Sequence, residues 1–196
     1  MNDITMMKLF PVPVFTAVES DFDHLRSDIL EYIRDYRDTY DSEKISNIGG
    51  YQSASDIHQD IDFKNNCDRL WDIISPIAQH IGDLFAEHGY PSTTLTLANM
   101  WFNVNGKGNS NVEHTHPHCF YSGVIWIKAK PGMGGLSMKS PHEHSLYGMV
   151  DTLWTAEPEE GRVMLFPSFL PHSVAANPTD EERISISFNL HVTVPL

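Results

Sequence analysis

The chain has 196 residues, 41% of them hydrophobic and 20% charged, which is the composition of an ordinary globular domain with its own core. Its formal net charge of −13 repels phosphate backbones, so general nucleic-acid binding is not expected. The apolar runs are too short to cross a bilayer, no secretory signal is recognised, and two cysteines suit a reducing compartment. We therefore expect a cytoplasmic protein without a membrane partner.

The N-terminal region is predicted to begin with an edge strand followed by a helix. The segment MKLFPVPVFTAV has the texture of a strand, and its two prolines restrict it to the edge of a sheet. Apolar residues from Phe22 to Tyr40 recur at spacings of three and four, which predicts a helix. Ser20 or Asp21 is expected to be its N-cap.

A second helix is predicted after the Gly/Ser-rich loop SNIGGYQSAS. It is expected to begin near Asn66, and Gly89 and Pro91 provide the usual stop signals. Pro76 is expected to kink or break it, because proline removes a backbone donor and clashes with the preceding turn. The residues predicted to face the core are Leu70, Ile73, Ile77, Ile81 and Leu84.

Residues 92–196 are predicted to form the β core. Short β-rich runs follow one another there, with turn residues and no helical pattern between them. We identify eight: TTLTLANMWFNV, NVEHTH, YSGVIWIKA, GLSMK, MVDTLWT, RVMLF, HSVAA and RISISFNLHVTV. Such a series favours a jelly roll or small barrel over a βαβ fold. We expect one domain over 1–196, in which residues 1–91 supply the first strand and helices packed on one sheet.

The last predicted strand has two chemically different faces. Alternate residues from Ile184 to Val194 are apolar, while those from Arg183 to Thr193 are polar. The polar face could point to solvent. Alternatively, the apolar face packs against the helices and the polar face lines a cavity between two sheets. The periodicity alone does not decide between these arrangements.

Three histidines lie at alternate positions in NVEHTHPHCF. On a regular strand His114 and His116 point to one face, with Thr115 opposite, and Pro117 then takes His118 out of line. Because the chain contains eleven histidines, such spacing can arise by chance. The cluster alone therefore does not establish a metal site.

A later histidine and an arginine make the pattern more specific. His172 follows a strand and two prolines in LFPSFLPHSV, and Arg183 opens the next strand. A jelly roll can bring the H-x-H pair, the later histidine and the arginine to one mouth. Surface or capping roles are expected for four isolated histidines: His24, His58, His80 and His88. His191 could be either such a residue or a ligand.

The blocks HTHPHCFYSGVIWI, GRVMLFPSFLPHSV and ERISISFN resemble those of the putative 2-oxoglutarate/Fe(II)-dependent oxygenases. The resemblance is to an uncharacterised branch with H-x-H-P, F-P-S-x-L-x-H and E-R-I-S-x-S-F-N motifs. MWFNVNGKGNSNVEHTH and NIGGYQS extend the likeness over nearly the whole chain. It implies a double-stranded β-helix (jelly roll, cupin-like) with helices packed on one sheet.

The resemblance also implies Fe(II), 2-oxoglutarate as co-substrate and O2, with hydroxylation of a substrate while succinate and CO2 are released. His114 and His172 match the first and last ligands of the family's two-histidine, one-carboxylate triad. His116 occupies the position of the carboxylate, which gives three histidines, and Glu113 or His118 could replace one of them. No catalytic residue beyond the metal ligands is implied.

Arg183 matches the residue that holds the distal carboxylate of 2-oxoglutarate, since a guanidinium fork pairs with two carboxylate oxygens. Ser185 shares its face, and Asn103 on the strand before the histidines is a further expected co-substrate contact. Without the histidines, a surface ion pair with Glu181 or Glu182 would be the simpler role for Arg183.

Two other functions stay open on the sequence. One is a three-histidine cupin-type metalloenzyme that does not use 2-oxoglutarate, and the other is a non-catalytic jelly-roll binding domain. The substrate, whether a small metabolite or a protein side chain, and the oligomeric state are not predicted. His142 and His144 are expected on a loop at the rim. Residues that could line the pocket or belong to the core are Cys119, Phe120, Tyr121 and Trp126.

Overall fold

Two antiparallel sheets form the frame of the protein. The computed structural model describes residues 11–19, 22–67, 69–91, 93–141 and 152–193, excluding the side chains of 24, 66 and 67. The strands are β1 (Phe15–Val18), β2 (Asn47–Ile48), β3 (Tyr51–Gln52), β4 (Thr94–Asn105), β5 (Ser110–His114), β6 (Tyr121–Lys128), β7 (Leu136–Lys139), β8 (Leu153–Ala156), β9 (Arg162–Pro167), β10 (His172–Val174) and β11 (Arg183–Thr193). The larger sheet has the order β1-β9-β6-β11-β4-β3, and the smaller one β2-β5-β10-β7-β8.

All eight strands predicted after residue 91 are present in this double-stranded β-helix. β1 pairs with β9 alone and is the expected edge strand. The loop SNIGGYQSAS was predicted without strands, but it contains β2 and β3. These two short strands extend one edge of each sheet by pairing with β5 and β4.

The helices are α1 (Asp23–Thr39), α2 (Ile61–Cys67) and α3 (Arg69–Glu87), with a 3-10 turn at Ile57–Gln59. The predicted start near Asn66 is wrong, because helical structure begins at Ile61; Asp68, between α2 and α3, lies outside the described residues. α3 continues through Pro76, so the predicted break there is wrong as well. Pro76 lies on the exposed face, where water can solvate the carbonyl group that its missing N–H leaves free.

The helix ends and faces differ in detail from the expectation. Phe22 is at the N-cap position of α1 without a side-chain hydrogen bond, and the predicted caps Ser20 and Asp21 lie outside the described residues. On α3, Ile73 and Ile77 are only half buried. The buried line of this helix is Leu70, Ile74, Ala78, Ile81 and Gly82.

The main core lies between the helices and the larger sheet, and β11 shows how the sequence specifies this arrangement. Ile184, Ile186, Phe188 and Leu190 are at most 5% exposed and belong to one cluster with buried residues of α1 and α3. The opposite face of β11 contributes side chains to a cavity between the two sheets. The second of the two arrangements considered for this strand is therefore the correct one.

A smaller apolar cluster lies between the sheets, next to the cavity. It includes Trp126 of β6, Phe166 of β9 and Met138 of β7. Among the described residues, no helix is both long and apolar enough to span a bilayer.

Candidate active site

Three histidines meet at the end of the cavity. One side-chain nitrogen from each of His114, His116 and His172 lies within 4.8 Å of the others. β5 and β10 are neighbouring strands, and His114 is the register partner of His172, which brings these two imidazoles together. The ring centroids of this pair are 4.3 Å apart. The ring centroid of His116 lies 4.8 Å from that of His114 and 5.1 Å from that of His172.

Two of these rings are held in a defined orientation and tautomer. Nδ1 of His114 lies 2.8 Å from the carbonyl oxygen of Val112, and Nδ1 of His172 lies 2.8 Å from that of Leu170. Because a carbonyl oxygen only accepts, each Nδ1 carries the proton and donates it. The Nε2 lone pair is then free for a metal, which is the usual arrangement for metal-binding histidines.

His116 and His172 favour their neutral, metal-binding form. Burial, together with the nearby His172 and His114, lowers the pKa of His116 to about 3. Burial and His114 lower the pKa of His172 to about 4, although the hydrogen bond to Leu170 opposes this shift. At neutral pH both rings are therefore unprotonated, and a metal ion does not have to displace a proton from them.

His116 reaches the group from a loop, which corrects one detail of the sequence prediction. β5 ends at His114, so the two imidazoles do not share the face of a regular strand. The backbone N–H of His116 donates to the carbonyl of Ser168 at 3.0 Å, which fixes the loop against the segment before β10. The alternatives to His116 do not join the group. Glu113 is paired with Lys139 at 3.6 Å, and His118 is exposed.

A strained residue closes this loop. His118 has a φ of +74°, and Cys119 donates a backbone hydrogen bond to His116. A proline followed by a residue with positive φ is typical of a type II turn, in which glycine is favoured at the second position.

We expect His118→Gly to stabilise the protein by about 1 kcal/mol, because glycine adopts positive φ without the steric cost of a side chain. His118→Val should instead destabilise it, and thermal unfolding measures both. Metal affinity should be unchanged in His118→Gly, since the ring is exposed and outside the group. Loss of metal from this variant would contradict the assignment of His118 to the turn.

Arg183 lies in the cavity wall and is 2% exposed. Its Nη1 donates to three backbone carbonyls, those of Met133 at 2.7 Å, Gly134 at 2.5 Å and Ala175 at 3.3 Å. Gly134 has a φ of +88°, and a Cβ there would lie 2.7 Å from Nη1, so only glycine permits this approach. Burial lowers the pKa of Arg183 to about 10, which leaves the guanidinium charged at neutral pH.

The surface ion pair considered for Arg183 is absent from the described structure. Glu182 pairs with Arg37 at 3.2 Å, and Glu181 pairs with Lys130 at 3.0 Å. Arg183 is therefore a buried cation that no carboxylate in the described part of the chain neutralises.

Ser185 and Asn103 are register partners on β11 and β4, and both line the cavity beside Arg183. Oδ1 of Asn103 accepts hydrogen bonds from Nδ2 of Asn47 at 3.1 Å and from Nδ2 of Asn111 at 3.3 Å. These bonds fix the orientation of the Asn103 amide and leave its Nδ2 as the available donor.

The histidine end of the cavity is enclosed by aromatic rings. Trp101 lies 5.4 Å from His116 and Phe166 lies 4.7 Å from His172, measured between ring centroids. Trp126, which could have been core or lining, is both: it is 2% exposed, belongs to the smaller cluster and contacts the cavity. The three imidazoles, the guanidinium of Arg183 and the amide of Asn103 thus line the same cavity.

A known protein family matches the part of the chain that contains this site. A model described as "Putative 2OG-Fe(II) oxygenase" matches residues 99–189, which include all three histidines and Arg183. This segment of the chain is similar to that family. The match and the three-histidine group support an oxygenase that uses Fe(II), 2-oxoglutarate and O2. The search of curated proteins gave no match.

Solved structures with the same fold are distant in sequence. A prolyl-4-hydroxylase from Pseudomonas putida matches with a TM-score of 0.62 and 17% identity, covering 92% of each chain. The alpha-ketoglutarate-dependent epimerase SnoN from nogalamycin biosynthesis has a TM-score of 0.68 and 14% identity. The match covers 93% of this chain and 80% of the SnoN chain. HygX from Streptomyces hygroscopicus, with nickel and 2-oxoglutarate bound, has a TM-score of 0.58 and 11% identity, covering 92% and 83%. These similarities show that the chain shares the double-stranded β-helix fold of these proteins.

The sequence did not identify every residue that builds the oxygenase's cavity. Ser46, Asn111 and Ser122 line it but were not predicted to do so. Asn111 could have been noticed, since it lies in the same histidine block. Ser46 lies in the loop before β2, and no local sequence pattern indicates that it lines the cavity. His142 and His144, expected at the rim, lie outside the described residues.

Proposed function

We propose that His114, His116 and His172 hold Fe(II), and that Arg183, Ser185 and Asn103 bind 2-oxoglutarate. The result would be hydroxylation of a substrate coupled to conversion of the co-substrate to succinate and CO2. The observation that carries this proposal is the buried guanidinium of Arg183, which has no carboxylate partner among the described residues and lies in the same cavity as three clustered imidazoles.

The donor set fits a divalent first-row metal. Imidazole nitrogen suits iron among other ions. Two ligand atoms, each about 2.1 Å from a shared ion at a right angle, are about 3 Å apart, so the three nitrogens need only a small inward movement from their 4.8 Å limit. His116 replaces the usual carboxylate, and the loaded site is then more positive by one charge. That extra charge favours a dianionic co-substrate.

Arg183 supports an anionic co-substrate for an energetic reason. A buried charge without a partner is costly, and its cost is removed when a counter-charge binds with good hydrogen-bond geometry. Since Nη1 is used by three carbonyls, Nε and Nη2 form the fork that can receive a carboxylate. The hydroxyl of Ser185 and Nδ2 of Asn103 add neutral donors beside it.

The protein's own contribution is binding, orientation and exclusion of water. The bound Fe(II), with O2 and 2-oxoglutarate, supplies oxidation of a C–H bond. The hydrogen-bonded Nδ1 groups hold His114 and His172 in place, and Trp101 and Phe166 shield the imidazoles from bulk water. Such preorganisation keeps the reacting atoms in fixed positions.

The test is to add Fe(II) and 2-oxoglutarate to the protein under anaerobic conditions and record the visible spectrum. A charge-transfer band should appear only when both are present, and admission of O2 should release succinate. His172→Ala should show neither, whereas His80→Ala, which changes an exposed residue of α3, should match the parent. Absence of both band and succinate in the parent would contradict the proposal.

We also propose that the whole chain, 1–196, is one oxygenase domain, with residues 1–91 supporting the jelly-roll core of 92–196. The support is the shared core, which contains buried residues of α1 and α3 together with those of β4, β6 and β11. A cytoplasmic location is proposed from the low cysteine content, and Cys119 forms no disulfide.

A further inference from the structure

A cleft with a mainly apolar lining lies on the outer side of the loop that carries His116. It has a volume of about 760 Å³, whereas the cavity between the sheets has about 40 Å³. No Asp, Glu, Lys or Arg belongs to the described residues that line it. On a chain with a net charge of −13, this surface is chemically unusual. Its apolar and aromatic lining includes Val12, Phe85, Pro117, Phe120, Tyr121 and Phe169.

Two phenylalanines in the cleft are exposed. Phe120 is 40% exposed and Phe169 is 61% exposed. Exposed apolar surface gathered in a cleft marks an interaction site more often than an isolated exposed residue does. The backbone next to these phenylalanines is held in place, since Ser168 accepts a hydrogen bond from the backbone N–H of His116 and donates one to the carbonyl of Phe120. The cleft is therefore partly preformed.

The cleft meets the histidine group at one residue. His116 lines both the cavity between the sheets and the outer cleft. The volume of the cleft lies in the range of about 300–1,000 Å³ that is common for small-molecule sites, whereas the cavity between the sheets is far smaller. A molecule in the cleft would lie directly next to His116.

We propose that this cleft binds the substrate, and that the substrate is an uncharged small molecule with an aromatic or fused-ring portion. The inference rests on the proposed function of the histidines as metal ligands. The described lining contains no Asp, Glu, Lys or Arg, so a charged group would lose water there without gaining a counter-charge from these residues, which is unfavourable. Aromatic rings, in contrast, gain stacking and edge-to-face contacts with Phe120 and Phe169.

The first experiment measures binding to the metal-free protein, so it does not depend on the metal site. The probe is N-phenyl-1-naphthylamine, an uncharged fluorophore, and its comparison is 8-anilinonaphthalene-1-sulfonate, which has the same rings and a negative charge. The neutral probe should bind at one site, and the sulfonate should bind at least about tenfold more weakly. Phe169→Ala should weaken the neutral probe by about tenfold.

The matched control is Ile61→Ala, which shortens a side chain that is 65% exposed and lies in a different surface groove, next to α1. This variant should bind the neutral probe like the parent. Equal binding of the two probes, no binding of the neutral probe, or an equal loss in Ile61→Ala would overturn the proposed chemistry of the cleft. So would probe binding that disappears because a second copy of the chain occupies the cleft, which sedimentation would reveal.

The second experiment tests the link to the metal site. Co(II) bound to the histidines should give a visible spectrum, and saturation with N-phenyl-1-naphthylamine should change it because the probe lies beside His116. An unchanged spectrum with the probe bound would leave the metal site intact but overturn the cleft as a substrate site. Failure of Co(II) to bind would instead overturn the proposed function, and the substrate assignment would fall with it.

Discussion

Replacing Arg183 with methionine should weaken binding of 2-oxoglutarate by about 100-fold. A hydrogen bond to a charged group contributes about 1.5–3 kcal/mol, and loss of about 3 kcal/mol corresponds to roughly this factor. Methionine is long and unbranched, so it can occupy the buried position of Arg183, which is 2% exposed. Titration of the anaerobic Fe(II) protein with 2-oxoglutarate, followed by its charge-transfer band, measures the effect.

Controls separate co-substrate binding from folding. Arg183→Met leaves the carbonyls of Met133 and Gly134 without their donor, so its thermal unfolding must be measured as well. Arg183→Lys keeps the charge and one donor group but lacks the guanidinium fork, and its affinity should be intermediate. Arg37→Met removes a surface arginine that pairs with Glu182 and should bind like the parent. Parent-like affinity in both Arg183 variants would exclude this residue as the anchor.

Replacing His172 with alanine should abolish stabilisation by metal. When an ion is present at about 100 times its dissociation constant, it stabilises the folded state by about 2.7 kcal/mol. For a chain of this length that should raise the melting temperature by about 5–10 °C. The parent should show this shift on addition of Co(II), and His172→Ala should show none, because the group loses its most buried ligand.

His80→Ala is the matched control for this measurement, since His80 is an exposed histidine on α3. It should keep the full shift. Equal shifts in His172→Ala and the parent would place the metal elsewhere. Removal of the ion from the parent by a chelator should return its melting temperature to that of the metal-free protein.

The sequence predicted the β core well because its signals are local. β11 alternates apolar and polar residues over its whole length, and both faces are used as that alternation allows. The loop sequence between β5 and β6 also carried enough information to separate His118 from His114 and His116, since Pro117 favours a turn at that point.

The features that were missed depend on contacts between distant segments. β2 and β3 have two residues each and exist because β5 and β4 provide partners. Asn47 comes from that same loop and fixes the amide of Asn103, which lies 56 positions away in the chain. Pro76 was expected to kink or break α3, but its effect depends on whether it faces solvent. The sequence predicts which face Pro76 occupies only when the buried residues of the helix are already known.

The central claim is that three imidazoles, with His116 in the place of a carboxylate, hold the iron while Arg183 holds the co-substrate. A crystal structure grown anaerobically with Fe(II) and 2-oxoglutarate tests this most directly. It should show ring nitrogens of His114, His116 and His172 on one ion and the distal carboxylate on the free edge of the Arg183 guanidinium. An ion bound without His116, with Glu113, His118 or water in its place, would contradict the claim.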